Sequence, residues 1–515
     1  MKMPEKEYSA GRGTVFLTGI AILSQGLAFA YRAALSRAVG AEVMGLYQLL
    51  MSAYGVMLSL TTAGLTACAS NLTPQYLALG NLKGLEQMRR SCLLLLCGGS
   101  GVLAAAMVLW YDPVSVYLLG DARTQLGLIL LLPCVLLTGA ENLHKHIFYG
   151  SGRVRPPALT ELAEQGIRAA AVLGLLMFLT PADPERTVGV IVVGMIICEV
   201  FSSLTLVCLH RRYFAGRWSQ GRGEDLHTRG NRIRRIALPV CVTSLLGNVM
   251  GAANAALIPR KLVEGGMARG EAMSRFGVLC GMTLPMLSLP TVFLGALNLV
   301  MVPRLARAAA LGQKERLSSR VCRSMTAVSV LILPALVLMV VLGPELSVLI
   351  FRETAAGDYL PVLAAAVALS SFRAVCSGVL SGVGKQGQGA AICLVCDVVQ
   401  LAFVFSVALP GVGLKGFVAG TVLSELLGAV LSARCAARAA GIRLPVFESV
   451  TAPTLAALLA GLTGNLLFRY LRDCQVPLWV AGGAVCIYSV LLYLTTLQVQ
   501  GVSVRKVFGR EGADQ

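Results

Sequence analysis

The chain has 515 residues, of which 56% are hydrophobic and only 14% are charged, and its net charge is +18. Soluble proteins carry about 25% charged residues, so this composition excludes an ordinary soluble protein. Apolar runs long enough to cross a bilayer as helices recur from end to end. The sequence therefore predicts an all-α polytopic membrane protein.

The apolar runs predict about fourteen membrane-spanning helices. In chain order they cover 13–38, 42–70, 91–111, 124–149, 156–180, 187–210, 232–258, 276–302, 321–343, 359–383, 388–409, 413–436, 449–471 and 476–499. With the N-terminus inside, lysine and arginine concentrate on the inner side, and the outer loops hold roughly a third as many. This pattern predicts a bacterial cell membrane protein with both termini cytoplasmic. The net positive charge is then explained by basic cytoplasmic loops that contact anionic lipid, and it does not indicate nucleic-acid binding.

The first span carries two permanent cations, Arg32 and Arg37. Ionisable groups inside a span cost roughly 2.5–3.5 kcal/mol each on insertion scales, so they point to function or to pairing. Arg37 lies near the outer surface, where its side chain could reach the interface, whereas no acid lies within a turn of Arg32 in its own span. Guanidinium groups suit phosphate because they offer planar, bidentate donors. The two arginines therefore predict an anion site in a wet central cavity, with Arg373 contributing from the second half.

Other ionisable residues in the spans have both a structural and a functional interpretation. The spacing of four residues predicts helix-internal pairs for Glu141 with Lys145 and for Glu164 with Arg168. The candidates for a polar cavity or for ion coupling are Glu164, Arg168, Glu199, Asp397 and Glu425. We find no pairing of a nucleophile with a base that would predict an enzyme. The sequence predicts no metal site and no cofactor, and it leaves coupling to Na⁺ or H⁺ open.

An internal repeat relates the two halves of the chain. "MLSL" occurs at 57–60 and again at 286–289, while Gly150 and Glu199 have counterparts at Gly382 and Glu425. The offset spans six helices, so the halves share one orientation, as in transporters whose lobes are parallel repeats. We predict a cytoplasmic N-terminus (1–12), two six-helix lobes (13–210 and 232–436), a cytoplasmic linker (211–231), and a C-terminal region (437–515) with two extra helices and a tail.

Four stretches of the chain resemble one known family. They are "GLAFAYRAALSRAVGAEVMGLYQL" (26–49), "FYGSGRVRPPALTELAEQGIRAA" (148–170), "GALNLVMVPRLARAAALGQ" (295–313) and "SGVGKQGQGA" (381–390). In that order they resemble the first helix, the fourth-to-fifth-helix passage, the eighth-helix end and the tenth-to-eleventh-helix passage of the stage V sporulation protein B family. This is the polysaccharide-transporter (polysaccharide biosynthesis) branch of the multidrug/oligosaccharidyl-lipid/polysaccharide exporter superfamily. The similarity covers essentially the whole chain.

The resemblance implies a flippase-like exporter of polyprenyl-diphosphate saccharides, such as the peptidoglycan precursor lipid II, and MurJ-type lipid II flippases are similar. It implies that Arg32 and Arg37 line a cationic cavity and that Arg304 corresponds to an arginine at the cytoplasmic end of the eighth helix. It also implies that the last two helices, within 449–499, form a groove for the lipid tail. The implied partners are the lipid-linked saccharide, membrane lipids and cell-wall synthesis enzymes, and we expect a monomer.

Two other functions remain open from the sequence. A cation-coupled multidrug exporter would be expected to have acids dominating the first-lobe cavity, and Glu164, Glu199 and Asp397 keep this alternative alive. A membrane polysaccharide polymerase or ligase would be expected to have large outer loops with catalytic residues, whereas the predicted outer loops are short. The sequence does not identify the saccharide, the coupling ion or the physiological stage.

Overall fold

A computed structural model describes residues 10–179, 183–214, 221, 223–292, 294–295, 301–302, 305–306, 308–309, 311, 313–441 and 447–501. In these ranges the regular secondary structure is helical and contains no strand. Thirteen of the described helices are long and apolar enough to cross a membrane. The first of them bends at Gly40, whose φ of 77° lies in the left-handed region, and this bend separates the first two predicted spans. The predicted all-α polytopic architecture is therefore confirmed.

The chain divides into two compact units, and the first ends at Gly277. Its helices are α1 (Ala10–Thr61), α2 (Ala63–Ala78), α3 (Leu82–Pro113), α4 (Gln125–Gly150), α5 (Arg155–Leu179), α6 (Pro184–Phe214), α7 (Leu226–Glu264) and α8 (Arg269–Gly277). The core near the ends of α2, α3, α4 and α6 packs Leu72, Met88, Ile147 and Leu206 together. The side chain of Asn81 caps α3 by accepting a hydrogen bond from the Gly84 amide at 2.9 Å.

The second unit begins at Val278. Its helices are α9 (Leu284–Ser288), α10 (Lys314–Phe351), α11 (Leu360–Gly382), α12 (Gln386–Val404), α13 (Leu414–Ala440), α14 (Ala452–Asp473) and α15 (Leu478–Val499). The two predicted extra helices are present as α14 and α15. Their inner faces pack on α10 in a core that includes Val330, Ala456 and Tyr493.

Local geometry supports the predicted repeat. Helices α4 and α11 end at the equivalent residues Gly150 and Gly382. Each is followed, two residues later, by a left-handed glycine, Gly152 with φ 73° and Gly384 with φ 78°. Such glycines stop a helix because only glycine adopts this conformation without strain. The same turn thus occurs at matching points of the two halves. The predicted lobe boundaries, 13–210 and 232–436, stay a prediction.

Candidate functional site

Arg32 is an intramembrane cation without a counter-charge in the described part of the chain. It lies on α1 eight residues before Gly40, which places it about 12 Å along the helix from the bend. Its side chain is partly buried. No carboxylate among the residues described lies within ion-pair distance of its guanidinium group. Arg32 is therefore available to an anion that approaches this part of α1.

Arg37 and Arg304 are two other cations that were predicted to bind an anion with Arg32. Arg37 is exposed and lies three residues before the bend at Gly40, a position from which a long side chain reaches the interface. Its predicted place beside Arg32 in one anion site stays a prediction. Arg304 lies outside the described residues, so its predicted role stays a prediction.

The candidate residues of the first unit form one buried ionic network across α4, α5 and α6. Lys145 Nζ lies 2.5 Å from Glu141 Oε1 and 3.3 Å from Glu164 Oε2. Arg168 Nη2 lies 2.6 Å from Glu164 Oε1 and 3.2 Å from Glu199 Oε1. Both pairs predicted from helical spacing are thus confirmed. Three carboxylates surround two cations, so the network has no surplus positive charge to attract an anionic headgroup.

Hydroxyl groups extend this network to α1. Thr138 donates a hydrogen bond to Glu199 Oε2 at 2.5 Å, and Tyr54 donates to Thr138 at 2.6 Å. Because Tyr54 is on the second span and Thr138 on α4, the chain of hydrogen bonds ties four helices together. Buried ionic groups that are satisfied in this way specify one packing arrangement. Sequence reasoning did not identify Tyr54 or Thr138, because a lone hydroxyl in an apolar run has no distinctive spacing.

One point in the network has the spacing of a metal site. Glu164, Cys198 and Glu199 each offer an oxygen or sulfur atom, and these atoms lie within 4.8 Å of one another. The guanidinium of Arg168 contacts the two carboxylates, and its Nε lies 3.4 Å from Cys198 Sγ. The guanidinium group of Arg168 therefore occupies the position that a metal ion would take.

The second unit has a simpler ion pair at the repeat-equivalent glutamate. Arg373 Nε lies 2.8 Å from Glu425 Oε2, and its Nη2 lies 2.9 Å from Glu425 Oε1. Arg373 Nη1 also contacts Cys393 Sγ at 3.2 Å. This bidentate contact compensates the charge of Arg373, which was a candidate for substrate binding. Asp397 is partly buried and makes no hydrogen bond or ion pair within the described ranges, although it lies within electrostatic reach of Arg373.

A polar cluster that sequence reasoning missed joins the start of α7 to the turn between α2 and α3. The carboxylate of Glu224 accepts hydrogen bonds from the Tyr76 hydroxyl and, at 2.9 Å, from Arg232 Nη1. The backbone N–H of Glu224 donates to Gln87 Oε1 at 2.9 Å, and Arg229 donates to the Glu224 carbonyl at 3.1 Å. We call Glu224 with these four partners the α7 clamp. The only sequence signal was an acidic pair, Glu224 and Asp225, in a basic segment.

The α7 clamp holds Glu224 in its charged form. Partial burial on its own raises the pKa of this carboxyl, but the hydrogen bonds from Tyr76 and Arg232 outweigh it and lower the pKa below its usual value. At neutral pH the carboxylate is therefore ionised and able to accept both hydrogen bonds.

An apolar groove of about 810 Å³ lies in the second unit between α10, α11 and α14. Its walls include Leu336, Ala365 and Leu462, and its few polar lining residues are Thr454, Asn465 and Arg469. The resemblance implied a groove built by the last two helices. In this groove α14 forms one wall and α15 contributes none of the described lining residues, so the groove implied for the last two helices stays a prediction. Space exists here because small side chains of α11 and α14 face it.

Comparison with known proteins gives a consistent family relationship. A profile of the polysaccharide biosynthesis protein family matches residues 10–308. Stage V sporulation protein B of Bacillus subtilis (strain 168) is 23% identical over 512 residues, which cover 94% of this chain and 95% of that protein. Sporulation protein YkvU of the same organism is 23% identical over 359 residues, covering 68% of this chain and 78% of that protein.

The fold is shared with a transporter of known structure. An inward-facing structure of a multidrug resistance MATE family transporter of the MOP superfamily superposes with a TM-score of 0.67 at 16% identity. The superposition covers 81% of this chain and 94% of that transporter. Together with the apolar helices, this likeness makes the chain a multi-pass membrane protein with a MATE-like transporter fold.

Proposed function

Because the chain belongs to the polysaccharide biosynthesis protein family, we propose that it is a lipid-linked oligosaccharide flippase. It moves a polyprenyl-diphosphate saccharide from the cytoplasmic to the outer face of the bacterial membrane by alternating access. The proposal describes a transporter and not an enzyme, with both termini in the cytoplasm. We propose a peptidoglycan precursor, lipid II or a close relative, as the cargo, because this is the substrate that the resemblance in the sequence implies.

The single observation that carries this proposal is the uncompensated charge of Arg32. Three other cations within the spans, Lys145, Arg168 and Arg373, are each within ion-pair distance of a glutamate. Arg32 has no such partner among the described residues. An arginine kept in an apolar helix without a counter-ion is costly unless an anion or water reaches it. A diphosphate supplies that anion and matches the geometry of a guanidinium group.

The same pairing argues against a cation-coupled multidrug exporter. Such a protein needs acids that are free to bind a cation or a proton. Here Glu164 and Glu199 both contact Arg168, and Glu425 contacts Arg373. Asp397 is the candidate acid without an ion pair within the described ranges, and we propose it as the coupling residue if transport uses Na⁺ or H⁺.

The isoprenoid tail and the negative charge of the cargo also fit this proposal. The apolar groove of the second unit suits the isoprenoid tail. The inside-negative membrane potential favours outward movement of an anion by about 2.3 kcal/mol per charge per 100 mV. A diphosphate therefore gains driving force from the potential alone.

The test is flipping of fluorescent lipid II in proteoliposomes that contain the full chain. We expect Arg32→Gln to reduce the rate at least about tenfold, because one charge-assisted contact is lost. Arg32→Lys should keep part of the rate, and Arg212→Gln, at the exposed end of α6, should leave it unchanged. A normal rate in Arg32→Gln would reject the site. Failure of the wild type to flip any polyprenyl diphosphate, with transport of a cationic dye instead, would reject the cargo.

A further inference from the structure

The apolar groove of the second unit has a cation at one end. The residues of α14 that line it form a stripe at helical spacing, beginning at Thr454 and ending at Asn465 and Arg469. Arg469 is exposed, and no acidic group in the described part of the chain pairs with it. It lies one turn before α14 ends at Asp473, which is the depth of the lipid headgroups.

The length of this stripe limits what the groove can hold. From Thr454 to Arg469 the helix rises about 22 Å, roughly three quarters of the 30 Å thickness of the hydrocarbon core. An acyl chain of a phospholipid fills only its own leaflet, about half of that thickness. A tail that fills the whole groove must therefore be longer than an acyl chain, as a polyprenyl chain is.

The cation at the end of the groove, Arg469, indicates that the ligand has a phosphate head. A guanidinium group binds phosphate oxygens through paired donors, and the Asn465 amide lies one turn away on the same face. In the predicted orientation, with both termini cytoplasmic, α14 runs outward and Arg469 lies at the outer end. We propose that Arg469 and Asn465 form a phosphate site for a polyprenyl phosphate whose head has reached the outer leaflet.

This site deepens the proposed function, and it rests on that function for the identity of the tail. It adds an outer position for the phosphate head to the position proposed at Arg32. The second position would hold the carrier lipid until a reaction that uses the saccharide takes it. It gives the extra helix α14 a role in binding the head as well as the tail.

The experiment measures binding without transport. The full chain in phosphatidylcholine nanodiscs is labelled with a polyprenyl monophosphate that carries a photoreactive group on its terminal isoprene, and labelled peptides are mapped by mass spectrometry. We expect labels on α10, α11 or α14 and competition by unlabelled polyprenyl phosphate. Polyprenol, phosphatidylglycerol and inorganic phosphate should compete at least about tenfold more weakly, since each lacks the charge or the long tail.

Matched variants locate the head and the tail. Arg469→Gln should weaken binding about tenfold, while Arg472→Gln should not, because Arg472 contacts the Val476 carbonyl and does not line the groove. Ala365→Phe should block the groove, whereas Ala391→Phe, at an exposed position of α12, should not. Elution of each variant as a single species in gel filtration verifies folding.

Three outcomes would overturn the proposal. They are equal competition by phosphatidylglycerol, equal loss in Arg472→Gln, or unchanged binding in Arg469→Gln. The result is distinguishable from failure of the proposed function. If binding depends on Arg469 but the protein does not flip lipid II, the phosphate site stands and the proposed cargo is rejected. If the protein flips lipid II but binding does not depend on Arg469, the proposed cargo stands and the phosphate site is rejected.

Discussion

Arg373 on α11 holds Glu425 on α13 by two hydrogen bonds, of 2.8 and 2.9 Å. Glu199 on α6, the repeat equivalent of Glu425, is held by Arg168. The glutamate occupies the same place in both halves. Its arginine comes from α5, the fifth predicted span, in the first half, but from α11, the fourth predicted span, in the second half. A contact reached from two different helices is more readily explained as a brace between helices than as a binding site for one ligand.

We therefore predict that Arg373 acts through Glu425. Arg373→Leu should lower the free energy of unfolding by up to about 3 kcal/mol, because Glu425 is left partly buried without its cation. The exchange of Arg373→Glu with Glu425→Arg should recover part of this loss. Thermal unfolding in detergent measures both. If the exchanged protein is stable but no longer flips lipid II, Arg373 contacts the cargo and the brace interpretation is wrong.

Arg168 should matter more for stability than an exposed arginine. Its side chain contacts two buried glutamates, so Arg168→Leu leaves Glu199 without a cation and Glu164 with Lys145 alone, and it should cost about 3–5 kcal/mol. The matched control is Arg186→Leu, whose pair with Asp183 is 77% and 64% exposed; it should change stability by less than about 1 kcal/mol. Similar unfolding midpoints for the two variants would contradict the network.

The sequence predicted much of this site because its signals were local. Helical spacing found Glu141 with Lys145 and Glu164 with Arg168, and the repeat marked Glu199 and Glu425 as equivalent. Composition and charge placement were enough for the all-α polytopic fold. Each of these inferences depends only on residues that are near in the chain or on a repeated pattern.

What the sequence could not supply were pairings between distant segments. The contact between Arg373 and Glu425 joins residues 52 positions apart, and Tyr76 meets Glu224 across 148 positions. Nothing in either neighbourhood specifies the partner, because packing of whole helices brings them together. For the same reason sequence analysis did not find the groove that α10, α11 and α14 line.

The α7 clamp should weaken in acid. The folded-state pKa of Glu224 is lowered, so its contribution is complete above the unfolded value of about 4.3 and is lost as the pH falls through the lowered folded value. Hydrogen exchange of residues 223–232, corrected for intrinsic rates, should show protection at pH 7 that is lost once the pH falls below the lowered folded-state pKa of Glu224. Glu224→Gln should show the loss already at pH 7. Glu271→Gln, which breaks an exposed pair with Arg275, should not change this segment.

The close contact between α8 and α1 should tolerate no added carbon atom at Gly277. A Cβ atom on Gly277 would lie 2.6 Å from the Gly45 nitrogen and closer still to the Ala41 carbonyl oxygen. These are backbone atoms of α1, which cannot rotate aside as a side chain can. Gly277→Ala should therefore force α8 away from α1 and cost at least about 3 kcal/mol, at the upper end of overpacking effects.

A second glycine provides the control for this contact. Gly174 lies within α5, and a Cβ atom there would meet nothing within 4 Å. Gly174→Ala should therefore stabilise the protein by about 0.5–1 kcal/mol, since alanine loses less backbone freedom on folding. Thermal unfolding of the two variants side by side separates close packing from helix propensity. Equal stabilisation by both substitutions would mean that α8 does not approach α1 as closely as the structure has it, and that Gly45 and Gly277 have no packing role.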